Sequence, residues 1–132
     1  MKRILLAILL CINFLYSQDF VDKFGYEKDY KVAIKKAKEH KKDIVMVIVS
    51  DYCSWCDRLK EEVLSLEYTD EILKKHYIPL MVNSSSDNYP SKFDSYVVPA
   101  VHFVSFKDES IIETVLGFNN NYRFYEIIEA KK

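Results

Sequence analysis

The sequence predicts an α/β fold, a mixed four-stranded sheet with helices on both faces. Three observations lead there. The run Ile44-Val45-Met46-Val47-Ile48-Val49 is unbroken and mostly β-branched, which suits a strand covered on both sides. The segments on either side of it carry apolar residues at helical spacing. Near the C-terminus, two apolar runs are joined only by Lys107-Asp108-Glu109-Ser110, a link short enough to require an antiparallel hairpin.

The elements follow in order. Residues 1–17 read as a secretory signal peptide, with Lys2 and Arg3 before an apolar run from Ile4 to Leu15 and a small residue at Ser17. That run is shorter than the ~20 residues a membrane span needs, so an uncleaved anchor is the lesser alternative. Cys11 belongs to this apolar run, and bulky Leu10 before it argues against lipidation. Residues 18–132 are then a single domain. From Asp29 to Lys41, the residues Tyr30, Ala33, Ile34 and Ala37 mark one helical face, and Lys35, Lys36, Lys38 and Lys41 mark its solvated side. After the strand at 44–49 comes Cys53-Ser54-Trp55-Cys56. A second amphipathic helix then carries Cys56, Leu59, Val63 and Leu66 on its apolar stripe. Thr69 and Asp70 offer caps for a further helix over Glu71–His76. Ile78 to Val82 reads as a strand with Pro79 near its start, and 84–92 as a polar loop with a short helical turn towards Tyr96. Strands follow at Ala100–Phe106 and Ile111–Leu116, and Gly117 ends the second. Asn119 to Asn121 cap a last helix whose Phe124, Ile127 and Ile128 face the core.

Composition narrows the function. Apolar residues at 49% and charged ones at 30% describe a folded domain rather than a disordered chain. A formal net charge of −1, with no basic block on one face, gives no footprint for nucleic acid. Losing the signal peptide removes Cys11 and leaves one cysteine pair, unlike a scaffold stapled by several disulfides. An exported chain rich in Lys, Ile, Asn and Tyr fits a bacterial periplasm, or secretion, and an oxidising compartment gives the pair redox work.

The pair sits where a strand turns into a helix. Unpaired N–H groups at a helix start favour thiolate over thiol, and the thiolate is the attacking species. Cys53 at that start is the expected nucleophile. Cys56, one turn on and level with Leu59 and Val63, is expected to face inward and resolve the mixed disulfide. Their i, i+3 spacing brings the sulfurs within bonding reach, so a Cys53–Cys56 disulfide is expected. A purely structural bridge closing so small a loop would add little stability.

Cys53-Ser54-Trp55-Cys56 after the apolar strand, Val98-Pro99 before the third strand and Gly117 after the fourth together resemble the thioredoxin superfamily, in its exported thioredoxin-like branch. The resemblance covers roughly residues 27–130. It implies a cis bond at Val98–Pro99 opposite the cysteines, with the Val98 backbone pairing with a bound substrate chain. It also implies thiol–disulfide exchange with exported cysteine-containing proteins, and a membrane or periplasmic thiol–disulfide protein as electron donor or acceptor. No organic cofactor or metal is called for. A small domain without an inserted helical lobe resembles the reductases of the family more than its oxidants. The chain also departs from the pattern. Tyr52 stands where thioredoxins carry Trp, and Ser54-Trp55 replaces Gly-Pro. The family's buried acid and its lysine partner fall at Val47 and near Met81, both apolar. Asp51 and Asp57 remain as nearby carboxylates, and both read as exposed charges.

Plainer readings compete at several positions. Trp55 and Tyr52 are expected to contact substrate, with core packing as the alternative. Tyr89, Phe93 and Tyr96 either form an apolar rim or plug the loop, and Phe93 reads more as a plug. His102 reads as a satisfied strand histidine close to Pro99, and His40 and His76 as cations at helix C-termini. Zinc would need four ligands, which Cys53, Cys56 and three scattered histidines do not supply in any known spacing. The rival to the enzyme reading is a non-catalytic module holding a partner or a metal in the groove between Trp55 and Pro99.

Overall fold

A computed structural model describes residues 19–118 and 121–131. The sheet has four strands, β1 (Asp43–Val49), β2 (Tyr77–Asn83), β3 (Ala100–Val104) and β4 (Ile111–Leu116), in the order β2-β1-β3-β4. β1 runs parallel to β2 and antiparallel to β3, which pairs antiparallel with β4, so the sheet is mixed as expected. β1 is central and buried from Ile44 onwards, which explains why its sequence shows no alternation.

Alternate side chains of β1 feed two cores. Val45, Val47 and Val49 pack with Cys56, Leu59, Val63, Leu64, Leu73, Phe103 and Phe124 on one face. Ile44, Met46 and Ile48 pack with Tyr30, Ala33, Ala37 and Phe93 on the other. The first face is covered by α1 (Phe20–Phe24), α3 (Ser54–Leu59), α4 (Glu67–His76) and α5 (Asn121–Glu129). The second is covered by α2 (Tyr30–His40) and a single 3-10 turn, Ser91–Phe93, between β2 and β3. Asp29 caps α2, its carboxylate accepting from the Val32 N–H at 2.9 Å.

Several boundaries differ from expectation. The short α1, ended by Gly25 in the left-handed region at φ 69°, is too brief for periodicity to reveal. The helix after the cysteines widens into a π turn over Lys60–Leu64, which lets both Val63 and Leu64 face the core. Leu66, expected on its stripe, lies beyond the turn and is exposed. α4 begins at Glu67 rather than Glu71. Thr69 is not its cap but lies fully buried on the same face as Ile72 and Leu73. β3 stops at Val104 because a bulge at Phe103/Val104 hands the chain to a turn, closed by Ser105 N–H to Ser110 O and Glu109 N–H to Ser105 O. Pro79 sits within β2 but on the sheet edge, where its carbonyl accepts from the Glu27 N–H. The expected signal peptide and the caps at Asn119 and Asn120 lie outside the described residues. Among the described residues, no helix is long and apolar enough to cross a membrane.

Candidate active site

The site is built at the C-terminal end of β1. Ser50 to Tyr52 turn the chain there, and Tyr52 takes a left-handed φ of 55° that throws its side chain fully into solvent. Cys53 follows in extended geometry as the N-cap of α3. Its Sγ accepts a hydrogen bond from the Cys56 N–H at 3.1 Å, the donor a helix start offers to a capping group. Cys53 and Cys56 form a disulfide with their Cα atoms 5.2 Å apart. Cys53 is half-buried, while Cys56 is 1% exposed among Val47, Leu59 and Val63. Cys53 is therefore the more accessible of the two, and Cys56 the sheltered one.

The opposing wall comes from the loop before β3. The Val98–Pro99 peptide bond is cis, and Val98 packs against the same core cluster as Cys53. Among the described residues, nothing pairs with the backbone N–H or carbonyl of Val98. Its neighbour Val97, by contrast, is tied to Ser95 Oγ through both its N–H and its carbonyl. Gly117 closes this wall at φ 75°, its N–H donating to the Pro99 carbonyl at 2.8 Å.

The aromatic residues sort into two groups. Tyr52, Trp55 and Tyr96 are exposed, whereas Phe93 is completely buried between Tyr30 and His102 and plugs the loop. Tyr89 is half-buried against the α2-side core. Two residues that sequence reasoning passed over join the site. Phe118 stacks on Trp55 with centroids 5.8 Å apart, and the Arg58 guanidinium lies over both rings. In the sequence, only the i, i+3 spacing of Arg58 from Trp55 hints at this contact. Phe118 is brought in by β4, which no local pattern shows.

Beneath the sulfurs the site is apolar. Val47 and Met81 face each other across β1 and β2, both buried. Asp51 is exposed and turned to the β2 loop, accepting from Asn83 Nδ2 at 2.8 Å. Asp57 is exposed too, its nearest cation being Lys60 at 3.9 Å. His102 is buried on β3, with Nε2 3.0 Å from the Phe93 carbonyl and Nδ1 2.8 Å from Thr114 Oγ1. Burial pushes its pKa down, against the raising effect of the Phe93 carbonyl. His40 ends α2 and His76 ends α4, both remote from the cysteines in the chain. Among the described residues, no group of three or more His, Cys, Asp or Glu side chains is placed to hold a metal ion.

Comparison with known proteins agrees with this fold. The sequence pattern of a family described as thioredoxin-like matches residues 26–105. No curated protein sequence matches the chain. Among solved structures, a thioredoxin from Thermus thermophilus superposes with a TM-score of 0.67 at 16% identity, covering 80% of this chain and 85% of that one. The C-terminal domain of Neisseria meningitidis DsbD, in its oxidised form, superposes with a TM-score of 0.62 at 20% identity, covering 81% and 99%. Trichomonas vaginalis thioredoxin gives 0.61 at 18%, covering 81% and 95%.

Proposed function

Since this chain belongs to the thioredoxin-like family, we propose that it is an exported thiol–disulfide oxidoreductase that reduces disulfides of other exported proteins. The observation that carries the reading is the asymmetric pair: Cys53 open at a helix start with an N–H aimed at its sulfur, and Cys56 sealed behind it. In the reduced protein that N–H and the helix dipole favour the Cys53 thiolate. The thiolate attacks one sulfur of a substrate disulfide. A Cys53–substrate bond forms as the substrate's S–S bond breaks, and the departing thiolate takes a proton from water. Cys56, its proton passing to the hydroxide so formed, attacks Cys53 Sγ, and the Cys53–substrate bond breaks to release the second substrate thiolate. Two electrons have passed to the substrate and the Cys53–Cys56 disulfide is formed.

The unpaired Val98 backbone supports docking of an extended substrate chain beside the sulfurs, and exposed Tyr52 and Trp55 support contact with its side chains. The connection between β2 and β3, residues 84–99, carries one 3-10 turn and no inserted helical lobe, which favours the reductive direction by likeness to small reductases of the fold. Export rests on Lys2-Arg3 and the apolar run to Leu15. A thiol–disulfide protein of the membrane or periplasm would then recharge the pair.

Reduction of insulin by the protein, recycled with a small dithiol, tests the reaction. Wild type should turn over and Cys53→Ser should fall to background; equal rates would leave only a holding module. Direction is read separately from the reduction potential, expected near the ~−270 mV of thioredoxin, whereas a value near ~−120 mV would make the protein an oxidant.

A further inference from the structure

The one tryptophan of the chain is held by groups that the exchange chemistry itself does not use. Trp55 and Phe118 lie nearly parallel, at 28°, with centroids 5.8 Å apart. Arg58 Cζ is 5.1 Å from the Trp55 centroid and 4.5 Å from that of Phe118. The guanidinium is itself oriented by Glu62, which accepts from Nε at 2.9 Å and from a terminal nitrogen at 3.1 Å. Trp55, Arg58 and Glu62 follow one another at i, i+3 and i+7, so they share one side of α3 and its π turn. Phe118 comes from the opposite wall, directly after the Gly117 that bonds Pro99. The stack therefore bridges the two walls of the crevice.

We propose that Arg58, oriented by Glu62 and seated on Phe118, is a positioning residue that fixes the Trp55 indole beside Cys53. A fixed, half-exposed indole gives the site a preference for substrates whose reacting cysteine is flanked by apolar or aromatic side chains. The inference rests on the oxidoreductase reading and names the substrate class that reading would favour. Three features support it over simple surface decoration. The guanidinium contacts two rings rather than one. Its fork is engaged by a carboxylate that sets its plane, as bidentate Arg–carboxylate pairs do. The ring it steadies belongs to the dipeptide between the two cysteines. A Trp with neither partner would keep its rotamer freedom and lose it only on binding, which weakens recognition.

The full-length protein supports a direct test, because its single indole N–H gives one isolated signal in 15N relaxation. The variants are Arg58→Met, which keeps an unbranched stem without the charged plane, Glu62→Gln and Trp55→Ala. Kinetics compare a peptide disulfide with Phe and Leu beside its cysteine against glutathione disulfide. In Arg58→Met the indole order parameter should fall, and KM for the apolar peptide should rise by about three- to tenfold, the range a cation–π contact of this kind supports. Activity on glutathione disulfide, which offers the indole no apolar side chain, should fall by less than activity on the apolar peptide. Glu62→Gln should shift both readouts in the same direction by less. In a Trp55→Ala background Arg58→Met should add nothing. The proposal is overturned by an unchanged order parameter, by an equal KM change in the Trp55→Ala background, or by an equal loss on glutathione disulfide. If wild type turns over neither disulfide, the oxidoreductase reading fails, and the order parameter alone still decides whether Arg58 holds the indole.

Discussion

His102 shows how one buried residue ties the docking loop to the sheet. A carbonyl only accepts, so Nε2 carries the proton donated to Phe93, and in the neutral ring Nδ1 accepts from the Thr114 hydroxyl. Burial lowers its pKa below the ordinary value, which favours that neutral ring. The unfolded chain, with a pKa of ~6.5, binds a proton that the native chain refuses, so stability falls as pH drops from ~6.5 towards the lower native value. Urea midpoints at pH 7.5 and 5.5 should show this loss. His102→Gln, which keeps an amide donor for Phe93, should remove the dependence in that interval. Glu109 titrates lower still, since Lys38 and then Tyr30 hold its carboxyl below the usual range, so the two effects separate. At this scale the sequence was readable where helical period alone decides: Cys56 shares a stripe with Leu59 and Val63 and is buried with them. It was unreadable at Phe118, whose meaning depends on where β4 ends relative to α3.

Among the elements, α2 is the most legible, because Tyr30, Ala33 and Ala37 mark one buried face and Asp29 caps its start. Its end is more informative. Lys41 sits in the left-handed region at φ 53°, its N–H bonded to the Ala37 carbonyl, a position that glycine occupies without steric cost. Lys41→Gly should therefore stabilise the protein, by about 0.5–1 kcal/mol, read from denaturant unfolding at neutral pH. No gain would mean that the exposed lysine contributes contacts beyond its conformation. Other element ends were hidden for stated reasons. Thr69 is a residue type that caps helices, yet its burial beside Leu73 carries α4 one turn further back. The π turn at Lys60–Leu64 preserves an apolar stripe that a sequence shows as ordinary helix. The bulge that shortens β3 follows from pairing with β4, a partner that period-2 reading does not weigh.

In the whole molecule, the order of elements was enough to specify the sheet, because a buried β1 and a short hairpin link leave few ways to arrange four strands. That arrangement brings the end of β1, the start of α3 and the Val98–Pro99 loop to one place, although these segments lie far apart in the chain. The same packing puts apolar Val47 and Met81 in the buried cluster with Cys56, at the positions where the resemblance would place an acid and a lysine. Division of labour between the two sulfurs is the central claim, and trapping tests it most directly. Each variant of the reduced protein, with Cys11 also replaced by Ser so that one cysteine remains, is mixed with a disulfide-containing protein, and the covalent adducts are resolved under non-reducing conditions. Cys56→Ser should accumulate a mixed disulfide through Cys53 that a dithiol releases, and Cys53→Ser should form none. Adducts of equal yield on both variants, or an adduct only through Cys56, would contradict the account.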